Sequence, residues 1–108
     1  MTKGDIETAI REFKKKLIDK FGAETEIYLF GSAARGDYGM YSDIDLLVLL
    51  PFEPNNSIEE QVFDLGYDIE LEYGVVFGII VYPKTLWNSD IAGSMPLYKN
   101  IKKEGVCV

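Results

Sequence analysis

Apolar residues at Ile6, Ile10, Phe13, Leu17 and Phe21 step by four, three, four and four, which places them on one face of a helix. Thr2 or Asp5 could cap its start, and Gly22 stands where a C-cap glycine belongs. Lys14, Lys15, Lys16 and Lys20 fall toward its end, where cations complement the helix dipole, and read as a solvated face. The same stepping returns at Ile58, Val62, Leu65, Ile69 and Tyr73, with Ser57 and Glu60 in a capping-box pattern and Gly74 as the stop. Between and after these helices the pattern is that of strands. Residues 26–30 form a short strand candidate, and residues 44–50 are nearly all apolar, the mark of a strand covered on both faces. Pro51 ends that run, residues 51–56 form a loop, and residues 75–82 read as a third strand stopped by Pro83. Short helical pieces are expected over 33–37 and 85–90, and a last helix over 97–104 entered at Pro96 and closed by Gly105. Val106-Cys107-Val108 then reads as a tail. This order predicts an α/β (α+β) fold, a small sheet with helices packed against it, in one domain spanning 1–108.

Chemistry concentrates where the first strand ends and the second begins. Gly31-Ser32-Ala33-Ala34-Arg35-Gly36 closes one apolar run, and Ser42-Asp43-Ile44-Asp45-Leu46 opens the next. In an extended chain Asp43 and Asp45 share a face, and Ile44, Leu46 and Val48 take the other. Two like charges side by side gain a strand nothing. A bound divalent cation gives a reason to keep them, because hard cations such as Mg2+ take carboxylate and phosphate oxygens. A glycine-serine turn with free backbone N–H groups could hold those phosphates.

These motifs resemble the nucleotidyltransferase superfamily that includes DNA polymerase beta, and more closely its minimal nucleotidyltransferases. The likeness rests on Phe30-Gly31-Ser32, Arg35-Gly36-Asp37 and Ser42-Asp43-Ile44-Asp45-Leu46. It implies a mixed sheet with the active site at the Gly-Ser end. It implies transfer of a nucleoside monophosphate, AMP from ATP, with Asp43 and Asp45 holding Mg2+. Gly31 would admit a phosphate close to the backbone, and Ser32 would serve the outer phosphates. Arg35 could face a phosphate or pair with an acidic neighbour such as Asp37. Ser42 could orient Asp43 from the strand entrance. Tyr38, Met40 and Tyr41 could stack on a base, with ordinary loop packing the simpler reading. Many active members of the resembling family also carry a third carboxylate on a later strand. Residues 75–82 contain none, and Glu70 and Glu72 belong to the capped helix.

Composition narrows the readings. The 108 residues contain no histidine, so neither an imidazole base nor a histidine metal site is available. Net charge is -7, and it is uneven: residues 1–21 and 81–108 each carry +2, while residues 22–80 carry -11 with Arg35 as their one basic side chain. Such a middle argues against duplex nucleic acid, which is gripped by Lys and Arg. It suits a cation site and a basic protein partner. Cys107 is the single cysteine, so no internal disulfide can form. With no secretory segment or apolar run of spanning length, a cytoplasmic protein off the membrane is expected. The chain has no room for a separate acceptor-binding domain, so a partner is expected to bring the acceptor. In the resembling family that partner is often a small helical HEPN-type toxin. A second reading is a binding module with the same fold, which covers a partner while its aspartates stay inert. Exposed edge strands leave a homo-oligomer open.

Overall fold

The computed structural model describes residues 3–36 and 43–108. Helix α1 spans Lys3–Phe21, strand β1 Glu26–Phe30, helix α2 Gly31–Ala34 and strand β2 Ile44–Leu50. Helix α3 (Asn56–Tyr73) leads into strand β3 (Phe77–Pro83) and helix α4 (Lys84–Trp87). A 3-10 turn over Asp90–Ser94, helix α5 (Pro96–Glu104) and strand β4 (Val106–Cys107) complete the order. The sheet runs β3-β2-β1-β4. β1 is antiparallel to both β2 and β4, and β2 is parallel to β3. A parallel pair needs a crossover, which α3 supplies. The sheet is therefore mixed, as the family resemblance implies, and helices cover both of its faces.

Alternation along β2 explains its near-continuous apolar run. Ile44, Leu46, Val48 and Leu50 pack beneath α1 and α3, with Ile10, Phe13, Leu17, Val62 and Ile69. Leu47 and Leu49 face the other way, into a second cluster with Trp87 of α4 and Ile101 of α5. Trp87 lies 4.9 Å from Tyr98, ring centre to ring centre, in a tilted aromatic contact that ties α4 to α5. Phe13 of α1 stacks on Phe77 of β3 at 5.5 Å. Asp45 has the parity of Leu47 and Leu49, so it lies on the α4/α5 face of the sheet.

Several boundaries differ from the sequence pattern. α1 is described from Lys3, which places Asp5 within its first turn, and Thr2 is outside the described residues. The end is as expected: the Gly22 N–H donates to the Ile18 carbonyl at 2.9 Å. α2 starts at Gly31, two residues ahead of the predicted helix. The cap of α3 is Asn55, not Ser57. The Ile58 N–H donates to Asn55 Oδ1 at 2.8 Å. Asn55 and Ser57 are both good capping residues, and the earlier one gains an extra half-turn of helix. Asn55→Ala is expected to cost about 1 kcal/mol, a drop of about 4–8 °C in the melting midpoint, while Ser57→Ala stays within about 0.5 kcal/mol. Parallel calorimetric melts of the two variants check the assignment. The last three residues form more than a tail. Val106 and Cys107 pair with Leu29 and Tyr28, and the Val108 N–H donates to the Ile27 carbonyl at 3.0 Å. Lys14 Nζ donates to the Val108 carbonyl and anchors α1 to this edge.

Candidate active site

β1 and β2 bring the two halves of the motif together. Phe30, the last residue of β1, is the register partner of Asp45, and Gly31 follows it directly at the start of α2. On the other flank, β3 sets Gly78 opposite Asp45 in the parallel register. A Cβ at position 31 would collide with Oδ2 of Asp45, and one at position 78 would stand 2.9 Å from Oδ1. The carboxylate thus occupies a slot with a glycine on each side. The expectation that Gly31 makes room for a phosphate acquires a nearer cause, since the Asp45 side chain already fills the space its missing Cβ leaves. Gly78 was not singled out in the sequence. A lone glycine within a Val/Ile-rich strand is the signal that another group approaches closely there.

Asp43 immediately precedes β2 and is exposed, while Asp45 is half-buried. The Asp45 carboxyl is held above its ordinary value, chiefly by burial and then by the charge of Asp43. The ion pairs among the described residues, Arg35–Glu104 and Lys84–Glu26, leave both aspartates without a basic counter-charge. A crowded carboxylate next to a like charge is a donor set that fits a hard divalent cation such as Mg2+. Among the described residues no group of three or more His, Cys, Asp or Glu side chains converges. β3 contributes Gly78 where a further carboxylate would border Asp45, so the absence of an acid from residues 75–82 has a direct structural counterpart.

The remaining residues divide. Ser32 lies in α2 immediately after Gly31. Arg35 Nη1 is 2.9 Å from Glu104 Oε2, an exposed pair joining the end of α2 to the end of α5. Its acidic partner is thus distant in sequence, and Asp37 lies outside the described residues, as do Tyr38, Met40, Tyr41 and Ser42. Exposed pairs of this kind contribute about 0–1 kcal/mol. Arg35→Ala is accordingly expected to leave the urea midpoint almost unchanged, and any loss of nucleotide affinity in that variant would belong to a phosphate contact rather than to the fold. On the opposite face of the sheet a cavity of about 440 Å3 lies behind α2, lined by residues that include Ile10, Arg11, Leu29 and Ala33 but neither aspartate. No helix among the described residues is long and apolar enough to cross a membrane.

Comparison with known proteins places this arrangement. Residues 10–106 match the family described as nucleotidyltransferase domain. Two Methanocaldococcus jannaschii proteins are similar along most of their length. "Putative protein adenylyltransferase MJ0604" is 40% identical over 100 residues, covering 92% of this chain and 93% of that protein. "Putative protein adenylyltransferase MJ0141" is 33% identical over 88 residues, covering 81% and 89%. Among solved structures, one described as a toxin-antitoxin with AMP-PNP superposes with a TM-score of 0.59 at 19% identity, covering 99% of this chain and 72% of that one. A second, a mutant form of the toxin-antitoxin MntA-HpeT, gives 0.60 at 21% identity and covers 92% and 70%. These solved structures share the fold, and the family match extends from α1 to β4. The chain belongs to the nucleotidyltransferase domain family.

Proposed function

We propose that this protein transfers AMP from ATP to a hydroxyl group of a partner protein, at a site built on Asp43 and Asp45 beside the Gly31-Ser32 turn. The observation that carries the reading is the Asp45 carboxylate, fitted between Gly31 and Gly78 and held above its ordinary pKa by burial and then by the charge of Asp43. In the reaction the acceptor oxygen bonds to the α-phosphorus, the bond to the β-phosphate oxygen breaks, and pyrophosphate leaves. The hydroxyl proton passes to solvent. Asp43 and Asp45 would hold Mg2+, which supplies charge neutralisation on the phosphoryl oxygens and orients attacking and leaving groups. The Gly31-Ser32 backbone would hold the outer phosphates, and Ser42 would steady Asp43. The donor and the acceptor class are supported by the adenylyltransferase names of the M. jannaschii relatives. The toxin-antitoxin neighbour with AMP-PNP supports a partner of toxin type, for which a small helical HEPN-type protein is the candidate.

One observation favours a second reading. Gly78 stands beside Asp45 where a third carboxylate would help to bind metal and deprotonate the acceptor. The same fold could then neutralise its partner by complex formation alone. The two readings separate in one experiment, in which purified protein, Mg2+, ATP labelled at the α-phosphate and a small helical HEPN-type protein are combined. Transfer predicts label on the partner that disappears with Asp43→Ala or Asp45→Ala. Inhibition of the partner that persists unchanged in both variants, without label, assigns the protein to binding.

A further inference from the structure

Among the described residues, one side of α3 stays outside both hydrophobic clusters. Val62, Gly66 and Ile69 are buried against the sheet and α1. Phe63, Tyr67 and Leu71 point elsewhere and are 45%, 58% and 66% exposed. Their spacing of four makes them a single i±4 ridge, the feature that interdigitates when two helices pack. We propose that this ridge is the docking surface for a helical segment of a partner protein, one that presents its own apolar row bordered by lysine or arginine.

Charge selects that occupant. α3 carries six acidic side chains and no basic one. By the 3.6-residue repeat, Glu60 and Asp64 border the ridge on one side and Glu70 on the other. A two-fold dimer would set this patch against itself. It would bring a dozen carboxylates together with no Lys or Arg from either helix. A basic partner helix reverses the sign: its apolar row covers the ridge and its cations meet the flanking acids, which also steers the approach. The negative rim equally repels nucleic acid and anionic membrane surfaces. α3 lies on the sheet face opposite to Asp45, so the partner and a nucleotide can be held at once. The surface therefore stands independently of whether the aspartates transfer AMP.

Two synthetic helical peptides test this. Both carry leucine at i, i+4 and i+8; one has lysine at the flanking positions and the other glutamate. Fluorescence anisotropy is expected to show the lysine peptide binding the full chain, more weakly at high salt, and the glutamate peptide not binding. The triple variant Phe63→Ser/Tyr67→Ser/Leu71→Ser, which keeps every charge, should weaken binding at least tenfold. Glu60→Lys/Asp64→Lys, which keeps every apolar group, should also weaken it, and circular dichroism melts establish that both fold. Asp45→Ala should bind the peptide as the unchanged protein does, which separates this surface from the nucleotide site. Failure of the lysine peptide to bind, equal binding of both peptides, or undiminished binding by the folded triple variant would overturn the proposal. So would sedimentation showing a dimer of the unchanged protein that the triple variant dissociates, since a second copy would then be the occupant.

Discussion

Asp45→Asn is expected to abolish Mg2+-dependent nucleotide binding and at the same time to raise the melting midpoint of the metal-free protein. The two effects have one cause. In the folded chain the Asp45 carboxylate is crowded by Gly31 and Gly78, partly withdrawn from water, and set near the charge of Asp43. Burial chiefly, and then the charge of Asp43, disfavour the ionised form. The amide removes the charge while nearly preserving shape, so the fold no longer carries that burden. Because the carboxyl is only partly buried and its repulsion from Asp43 is screened by solvent, the rise is expected to be small, and its sign is the result to be read. Losing the groups that orient a metal ligand costs about 10–100-fold, so removal of the ligand itself should reduce transfer by at least about 100-fold. Calorimetric melting without metal and isothermal titration of Mg-ATP check the two halves. Unchanged Mg-ATP affinity in Asp45→Asn would remove the site.

The pH dependence has a definite sign. The Asp45 carboxyl is held above its ordinary value in the folded state, chiefly by burial and then by the charge of Asp43, so the folded protein binds this proton at a higher pH than the unfolded chain does. Its ionisation therefore destabilises the fold at neutral pH. That cost is relieved as pH falls through the raised pKa toward the unfolded value. Other carboxylates also titrate there, so the quantity to follow is the stability difference between Asp45→Asn and the unchanged protein. It should be largest near neutrality and shrink on acidification. Mg2+ affinity should fall over the same interval, because protonation removes the donor.

What the sequence disclosed follows from the range of the forces involved. The faces of α1 and α3 were legible because burial imposes a periodicity that each helix carries by itself: Ile10, Phe13 and Leu17, like Val62 and Ile69, lie in the core as their spacing predicts. β2 was legible because both of its faces are covered, which leaves an unbroken apolar run. β4 was not. A two-residue strand has no period, and it exists through pairing with β1 across nearly the whole chain. The cap of α3 was misplaced because Asn55 and Ser57 can each offer a side-chain oxygen to the first turn, and only the path of the loop decides between them. The candidate site divides the same way. Asp43, Asp45, Gly31 and Ser32 are conspicuous in a local motif. Gly78 carries in the sequence only the signal of a lone glycine within an apolar strand, and the parallel register is what sets it beside Asp45, while Arg35 finds Glu104 through tertiary structure alone.

Gly31→Ala should be far more damaging than its small change in volume suggests. Gly31 adopts a φ of 72°, and Gly74, at the end of α3, adopts 67°. An alanine in this region costs about 1–2 kcal/mol from backbone sterics at either position. At Gly74 nothing lies within 4 Å of the added methyl, so that cost is the whole effect. At Gly31 the methyl meets Oδ2 of Asp45, and Gly78 closes the opposite side, so the carboxylate cannot swing away freely. Gly31→Ala is therefore expected to destabilise by about 1 kcal/mol more than Gly74→Ala, and to reduce Mg-ATP affinity where Gly74→Ala leaves it unchanged. A double-mutant cycle isolates the collision. Once Asp45→Ala has emptied the slot, adding Gly31→Ala should cost no more than Gly74→Ala does. If the full penalty persists without the carboxylate, Gly31 is required by the turn alone, and the pairing of turn and aspartate on which the site rests does not hold.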